Sequence, residues 1–212
     1  MSCPLCLQIQ TYDEVKGADS RRYFHCQACD LIFVDPAQHL SLEAERHYYA
    51  STHQNSIEHA GYVSFLNRIL EPMLPYLHPG MQGLDYGCGP GPTLSQLLRR
   101  QGIACADYDP IFVPEPLDPP YDFIFATECF EHFYWPHQEI GRICALLKPG
   151  GLLGVMTEQW TSLAQFSRWY YTTDPTHTSY FHAHSFDYLC REFGLELLWQ
   201  ANQRLFILRR QA

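Results

Sequence analysis

The stretch "LDYGCGPG" (residues 84–91) closes a short apolar run on three alternating glycines, and "PTLSQLLRRQ" (92–101) follows with helical character, its proline suited to a helix first turn. Beyond it, "IACADYD" (103–109) reads as a second strand, so strand, glycine turn, helix and strand stand in βαβ order. The alternation continues downstream. "YDFIFAT" (121–127) has the unbroken apolar content of a buried parallel strand, "HQEIGRICALLK" (137–148) is a helix stopped by "PGG", and "LLGVMT" (152–157) is the next strand. "SFDYLCREFG" (185–194) carries a serine cap and a glycine stop, and "LELLWQ" (195–200) with "RLFILRR" (204–210) reads as a closing hairpin. No internal repeat is evident. The expected fold is α/β, a largely parallel sheet with helices on both faces.

Glycines between a strand and a helix let a ligand lie against bare backbone. The dinucleotide pattern G-x-G-x-x-G, counted from Gly87 and Gly89, fails at Pro92. What stands is D-x-G-x-G-x-G, from Asp85 through Gly87 and Gly89 to Gly91. A carboxylate there repels a pyrophosphate and favours a ligand with amino and sulfonium cations, such as S-adenosylmethionine.

On these residues the chain, over roughly 55–212, resembles the class I S-adenosylmethionine-dependent methyltransferases, which implies a Rossmann-like class I methyltransferase sheet. The resemblance implies cofactor contacts from Asp85, Tyr86, Gly87, Cys88, Gly89 and Gly91, and a ribose contact from Asp109, preferred to Asp107, at the end of the second strand. "YDFIFATECFEH" (121–132) is similar to the family's fourth-strand motif, which places Thr127 and Glu128 at the sheet edge and ends in Glu131 and His132. One departure is expected to matter: "PIFVPEPLDPPY" (110–121) is too short and proline-rich for the family's second helix and third strand, so the adenine pocket should be abbreviated.

Upstream, Cys3, Cys6, Cys26 and Cys29 give C-x₂-C, nineteen residues, then C-x₂-C, the spacing of a four-thiolate zinc site. With all ligand positions filled by sulfur the zinc should be structural, and so short a segment has little core without it. The remaining cysteines, 88, 105, 129, 144 and 190, lack partners at ligand spacing and read as small hydrophobes, Cys88 lining the cofactor loop. Between ribbon and sheet, Ile57, Val63, Leu66, Ile69, Leu70, Met73 and Leu74 recur near helical spacing, with Pro72 and Pro75 expected to kink or end the helix. The expected division is a zinc-ribbon-like module (1–40), a helical linker or lid (41–80) and an S-adenosylmethionine-binding methyltransferase domain (81–212).

A formal charge of −9 disfavours polyanions, so a nucleic-acid partner is not expected. The N-terminus has no charged n-region followed by an apolar h-region and no run of about 20 apolar residues occurs, so a cytoplasmic protein without membrane contact is expected. Methyl transfer chiefly asks the protein to align an acceptor and remove a proton. The loop "DPTHTSYFHAHSF" (174–186) offers His177, Tyr180, His182 and His184 where acceptor contacts are expected. Together with the cysteine pairs, this loop resembles the zinc-containing sugar C-methyltransferases, and on that likeness His177 takes the position of the catalytic base, although Thr176 replaces the family's glutamate. His182 and His184 could instead bind a second metal. The sequence thus points to methyl transfer to a small-molecule acceptor, with RNA methylation or an idle cofactor-binding module as alternatives.

Overall fold

The chain begins with an antiparallel meander of β1 (Asp13–Lys16), β2 (Arg22–Cys26) and β3 (Leu31–Val34), in which Phe24 pairs with Phe33 and Cys26 with Leu31. The structure, a computed structural model, describes residues 1–52, 56–114 and 117–212. Two helices follow, α1 (Leu42–Thr52) and α2 (Ala60–Met73). α2 buries Leu66, Ile69, Leu70 and Met73 along one stripe. Pro72 lies one residue from its end, where the helix tightens into a 3₁₀ turn over Leu74–Tyr76 and a missing N–H costs little. The helical stretch expected across 41–78 is therefore two helices, and Ile57 sits in the turn between them.

The main sheet is built by β4 (Gln82–Tyr86), α3 (Leu94–Arg100), β5 (Ala104–Tyr108), β6 (Tyr121–Thr127), α4 (Pro136–Leu146) and β7 (Leu147–Met156). α5 (Leu163–Phe166), β8 (Ser179–Tyr180), α6 (Ala183–Glu192), β9 (Leu195–Ala201) and β10 (Leu205–Arg210) complete the chain. Strand order is β5-β4-β6-β7-β10-β9, parallel except for β10, which runs antiparallel to both neighbours. Side-chain alternation splits the core. Phe123 and Phe125 of β6 and Ile207 of β10 pack under α2 and α3, while Ile124, Ala126, Val155 and Phe206 meet Ile140 and Ile143 of α4 and Leu189 of α6. Helices thus cover both faces, in the doubly wound, Rossmann-like arrangement the sequence implied.

After β5 the chain makes an isolated Asp109–Val113 bridge and enters β6 with no intervening helix or strand among the described residues. Glu115 and Pro116 of that proline-rich stretch lie outside them. The N-terminal meander joins the rest of the protein through β8, where Ile32 pairs with Tyr180 and Phe33 with Ser179. A third core gathers Tyr23, Ile32 and Val34 with Trp160, Phe166, Trp169 and Tyr180, so the aromatic stretch from 159 onward serves to seat the meander. No helix among the described residues is long and apolar enough to cross a membrane.

Candidate active site

Because β4 has β5 on one side and β6 on the other, the order of strand addition reverses across it, and a crevice opens beyond the C-terminal ends of these parallel strands. A cavity of about 830 Å³ occupies that place. All the cofactor residues expected from the sequence line it except Gly91, and His177 lines it too.

The glycine loop needs its glycines. Gly87 and Gly89 have φ of +79° and +66°, and a Cβ on Gly87 would lie 2.6 Å from the Cys129 sulfur. The Gly87 and Cys88 amides donate to the Tyr108 carbonyl at 2.8 and 3.1 Å, tying the loop to β5. Asp109 fastens it further: Oδ2 accepts from the Gly89 amide (3.0 Å), and Oδ1 from the Ile111 and Phe112 amides (2.8 and 3.0 Å). Much of its hydrogen-bonding capacity is therefore spent on its own backbone, which differs from a carboxylate wholly free for a ribose. Asp107 pairs with Arg99 at 2.7 Å and does not line the cavity. Gly87→Ala should cost roughly 1–3 kcal/mol of stability through its left-handed φ and weaken cofactor binding at least about tenfold. A thermal melt and titration calorimetry matching the parent protein would remove the loop from cofactor binding.

Asp85 is 2% exposed, and its Oδ1 is buried without a hydrogen-bond partner. Burial, with Asp107 and Asp109 close by, pushes its carboxyl up to about 8. An orphaned acidic oxygen at the foot of a glycine loop suits a ligand that brings positive charge. At the end of β6, Glu128 has a φ of +48° and its carboxylate is forked by Arg204, which also reaches Glu158 at 3.0 Å. Tyr86 donates its hydroxyl to Glu139 at 2.7 Å.

On the wall lined by Tyr170, Tyr171, Thr173, Asp174 and His177, His177 is 8% exposed, and its Nδ1 lies 2.8 Å from the Tyr171 carbonyl. A carbonyl only accepts, so Nδ1 holds the proton and Nε2 presents its lone pair, 4.0 Å from Asp174 Oδ2. Burial, then the His132 ring at 4.7 Å, lower the His177 pKa to about 3, and Asp174 opposes them only in part. Asp174, although half-buried, is held below the usual carboxylate range by hydrogen bonds from the Thr176 amide and hydroxyl. His132 Nδ1 contacts the Tyr49 hydroxyl at 2.9 Å, and that hydroxyl donates to Glu45 at 3.0 Å, so α1 roofs the site.

Arg21, in the turn before β2, holds this wall in place. Its guanidinium donates to the carbonyls of Thr172 (2.6 Å), Asp174 (2.9 Å), Pro175 (3.1 Å) and His177 (2.8 Å), while Nε binds Asp19. The planar five-donor fork of arginine is what allows one side chain to hold four carbonyls.

At the N-terminus, the sulfurs of Cys3 and Cys29 are 3.7 Å apart and those of Cys6 and Cys26 3.6 Å, with all four within 4.8 Å. Tetrahedral ligands at about 2.3 Å from a zinc ion stand about 3.8 Å apart, so the donor set and its spacing fit that ion. Hydrogen bonds from the Cys29 and Cys3 thiols lower the Cys26 pKa.

The loop, the β6 end and His177, expected from the sequence, line the cavity together with Arg204 and the α1 residues, which were not expected, and neither was Arg21 behind the wall. Glu45, Tyr48 and Tyr49 recur at helical i, i+3, i+4 spacing, a signal that was readable. Nothing local marks either arginine.

The sequence family described as a methyltransferase domain matches residues 56–200. No curated protein matches the chain. Among solved structures, the 1,6-didemethyltoxoflavin-N1-methyltransferase of Burkholderia thailandensis, bound to 1,6-didemethyltoxoflavin and S-adenosylhomocysteine, is 12% identical, with TM-score 0.54 and coverage of 89% of this chain and 99% of that one. A complex of the Haloferax volcanii Trm112 methyltransferase activator with a candidate methyltransferase matches at 13% identity and TM-score 0.54, covering 79% and 97%. At such identities the likeness is one of fold.

Proposed function

The chain belongs to the methyltransferase-domain family, and from that membership we propose that it is an enzyme transferring the methyl group of S-adenosylmethionine to a small-molecule acceptor. The observation that carries this reading is the unpartnered Asp85 oxygen beneath the glycine loop in the switch-point cavity. Asp85, Tyr86, Gly87, Cys88 and Gly89 would hold the cofactor, with Asp109, Thr127 and Glu128 at the neighbouring strand ends. Bound there, it would supply a methyl group on a positively charged sulfur, a leaving group that keeps the electrons of the C–S bond when the acceptor's lone pair takes the methyl carbon. His177 takes the acceptor's proton at Nε2, and Asp174 stabilises the imidazolium as it forms. The four cysteines hold a structural zinc ion.

Charge narrows the acceptor. Asp109, Glu139 and Asp174 line the cavity, whereas of its arginines Arg204 is paired with Glu128 and Glu158, and Arg142 lies over the Tyr108 ring, 5.0 Å away. An acceptor without phosphate or carboxylate fits such walls, and an RNA does not. Incubation with methyl-labelled cofactor and a cell extract tests the reading. Label in low-mass metabolites supports it; label in RNA, or none despite cofactor binding, overturns it.

Asp85 adds a pH signature. Its carboxyl titrates near 8 in the folded protein and about 3.9 when unfolded, so stability present at low pH is lost as pH rises from about 4 to 8 and levels off above. Asp85→Asn should flatten that slope in the ligand-free protein. Affinity for the cationic cofactor should rise over pH 6–8 in the parent and not in the variant, and parallel calorimetric profiles would contradict the role given to Asp85.

A further inference from the structure

Away from the cavity, where the second cysteine knuckle meets the start of α6, Asp30 gathers three imidazoles. Its Oδ1 faces His25 Nε2 at 2.8 Å, and its Oδ2 faces His184 Nδ1 at 2.6 Å and His182 Nδ1 at 3.7 Å. We propose that Asp30, His182 and His184 form a second metal site, separate from the four cysteines, for a divalent transition cation such as Zn²⁺.

The three ligand atoms lie within 4.8 Å of one another, and two imidazoles with a carboxylate are a donor set that zinc accepts. His182 Nδ1 accepts the backbone N–H of His184 at 3.3 Å, so it carries a lone pair and not a proton, and an ion would take that lone pair in place of the N–H. The His184 side chain is 68% exposed. Its Nδ1 proton therefore passes through solvent to Nε2, and the ion takes the place of the hydrogen between Nδ1 and Oδ2. Two ligands about 2.1 Å from one ion stand about 3 Å apart, so the 2.6 Å pair opens only slightly.

Asp30 is held ready. Its amide donates to the Cys26 carbonyl at 2.7 Å, its carbonyl accepts Trp160 Nε1 at 3.0 Å, and its φ of +53° turns the side chain out of the knuckle. His25 orients the carboxylate from behind as an outer partner, an arrangement whose loss commonly weakens a metal site 10- to 100-fold. The exposed side leaves room for water ligands. An ion here staples the knuckle to a helix start 154 positions away, the separation of Asp30 and His184.

Titrating the metal-free, full-length protein with Co²⁺ tests this by absorbance. One equivalent should bring intense near-ultraviolet bands from sulfur ligation, and another only weak visible bands from nitrogen and oxygen. His184→Ala should abolish the second class or weaken it at least about tenfold and keep the first, and Asp30→Asn should do the same. His47→Ala, an exposed histidine elsewhere, should keep both. A parent protein with no nitrogen–oxygen class overturns the proposal, as does one whose second class survives His184→Ala or is lost instead in His177→Ala. That last result would place the ion in the cavity's Glu131, His132 and His177 cluster. Uptake of metal, not activity, is read, so the result is independent of the methyl-transfer reading.

Discussion

His177→Ala should lower the turnover number about 10²- to 10⁴-fold, with S-adenosylmethionine affinity unchanged within about twofold. The split follows from position. The Tyr171 carbonyl holds the Nδ1 proton, so what the substitution deletes is a lone pair on Nε2 of a residue that lines the cavity. In the resting site burial holds the imidazole at a pKa of about 3, so it stays neutral through the working range. The kcat/KM profile should therefore carry no inflection near pH 6.5 from this group. Added imidazole should restore part of the lost rate. Parent-like turnover in the alanine variant removes His177 from catalysis, whereas a fallen affinity with preserved turnover makes it a binding residue.

Stripping the sulfur-bound metal, by chelation or by Cys26→Ser, should unfold the N-terminal meander. Structural zinc supplies apparent free energies of about 10–16 kcal/mol in small four-ligand modules, far more than so little core provides. Here the damage should reach catalysis. Arg21 sits in that meander and holds the carbonyls of residues 172 to 177, and β3 is the partner of β8 directly after His177. Activity should thus fall with the metal even though no cysteine of the cluster lines the cavity. Hydrogen exchange should show residues 13–34 and 172–180 losing protection together. A protein that shows no sulfur-ligated metal by elemental analysis and X-ray absorption, with a melt indifferent to chelator, refutes the ribbon.

The strand and helix pattern from 82 to 210 was legible because burial on each element imposes a local period, two on strands and 3.6 on helices. Local chemistry likewise marked the glycine loop, where positive φ disfavours side chains, and the cysteine pairs, whose spacing is that of a tetrahedral thiolate site. The helical stretch from 41 to 78 was less legible, since its break lies in a segment with no apolar period to mark it. Asp109 lines the cavity, and its engagement with three backbone amides depends on how the chain turns after β5.

By itself, the sequence determined the class of fold, the strand-end loop and the paired cysteines, all features in which the decisive residues are neighbours. Only the tertiary structure decided how they work together: Arg204 reaches Glu128 across 76 positions, Arg21 reaches the carbonyls of residues 172 to 177 across more than 150, and Asp30 meets His184 across 154. Such pairs leave no periodic trace. The free energy that joins them comes from desolvation and hydrogen bonding between surfaces that exist only once the sheet, the helices and the ribbon have packed.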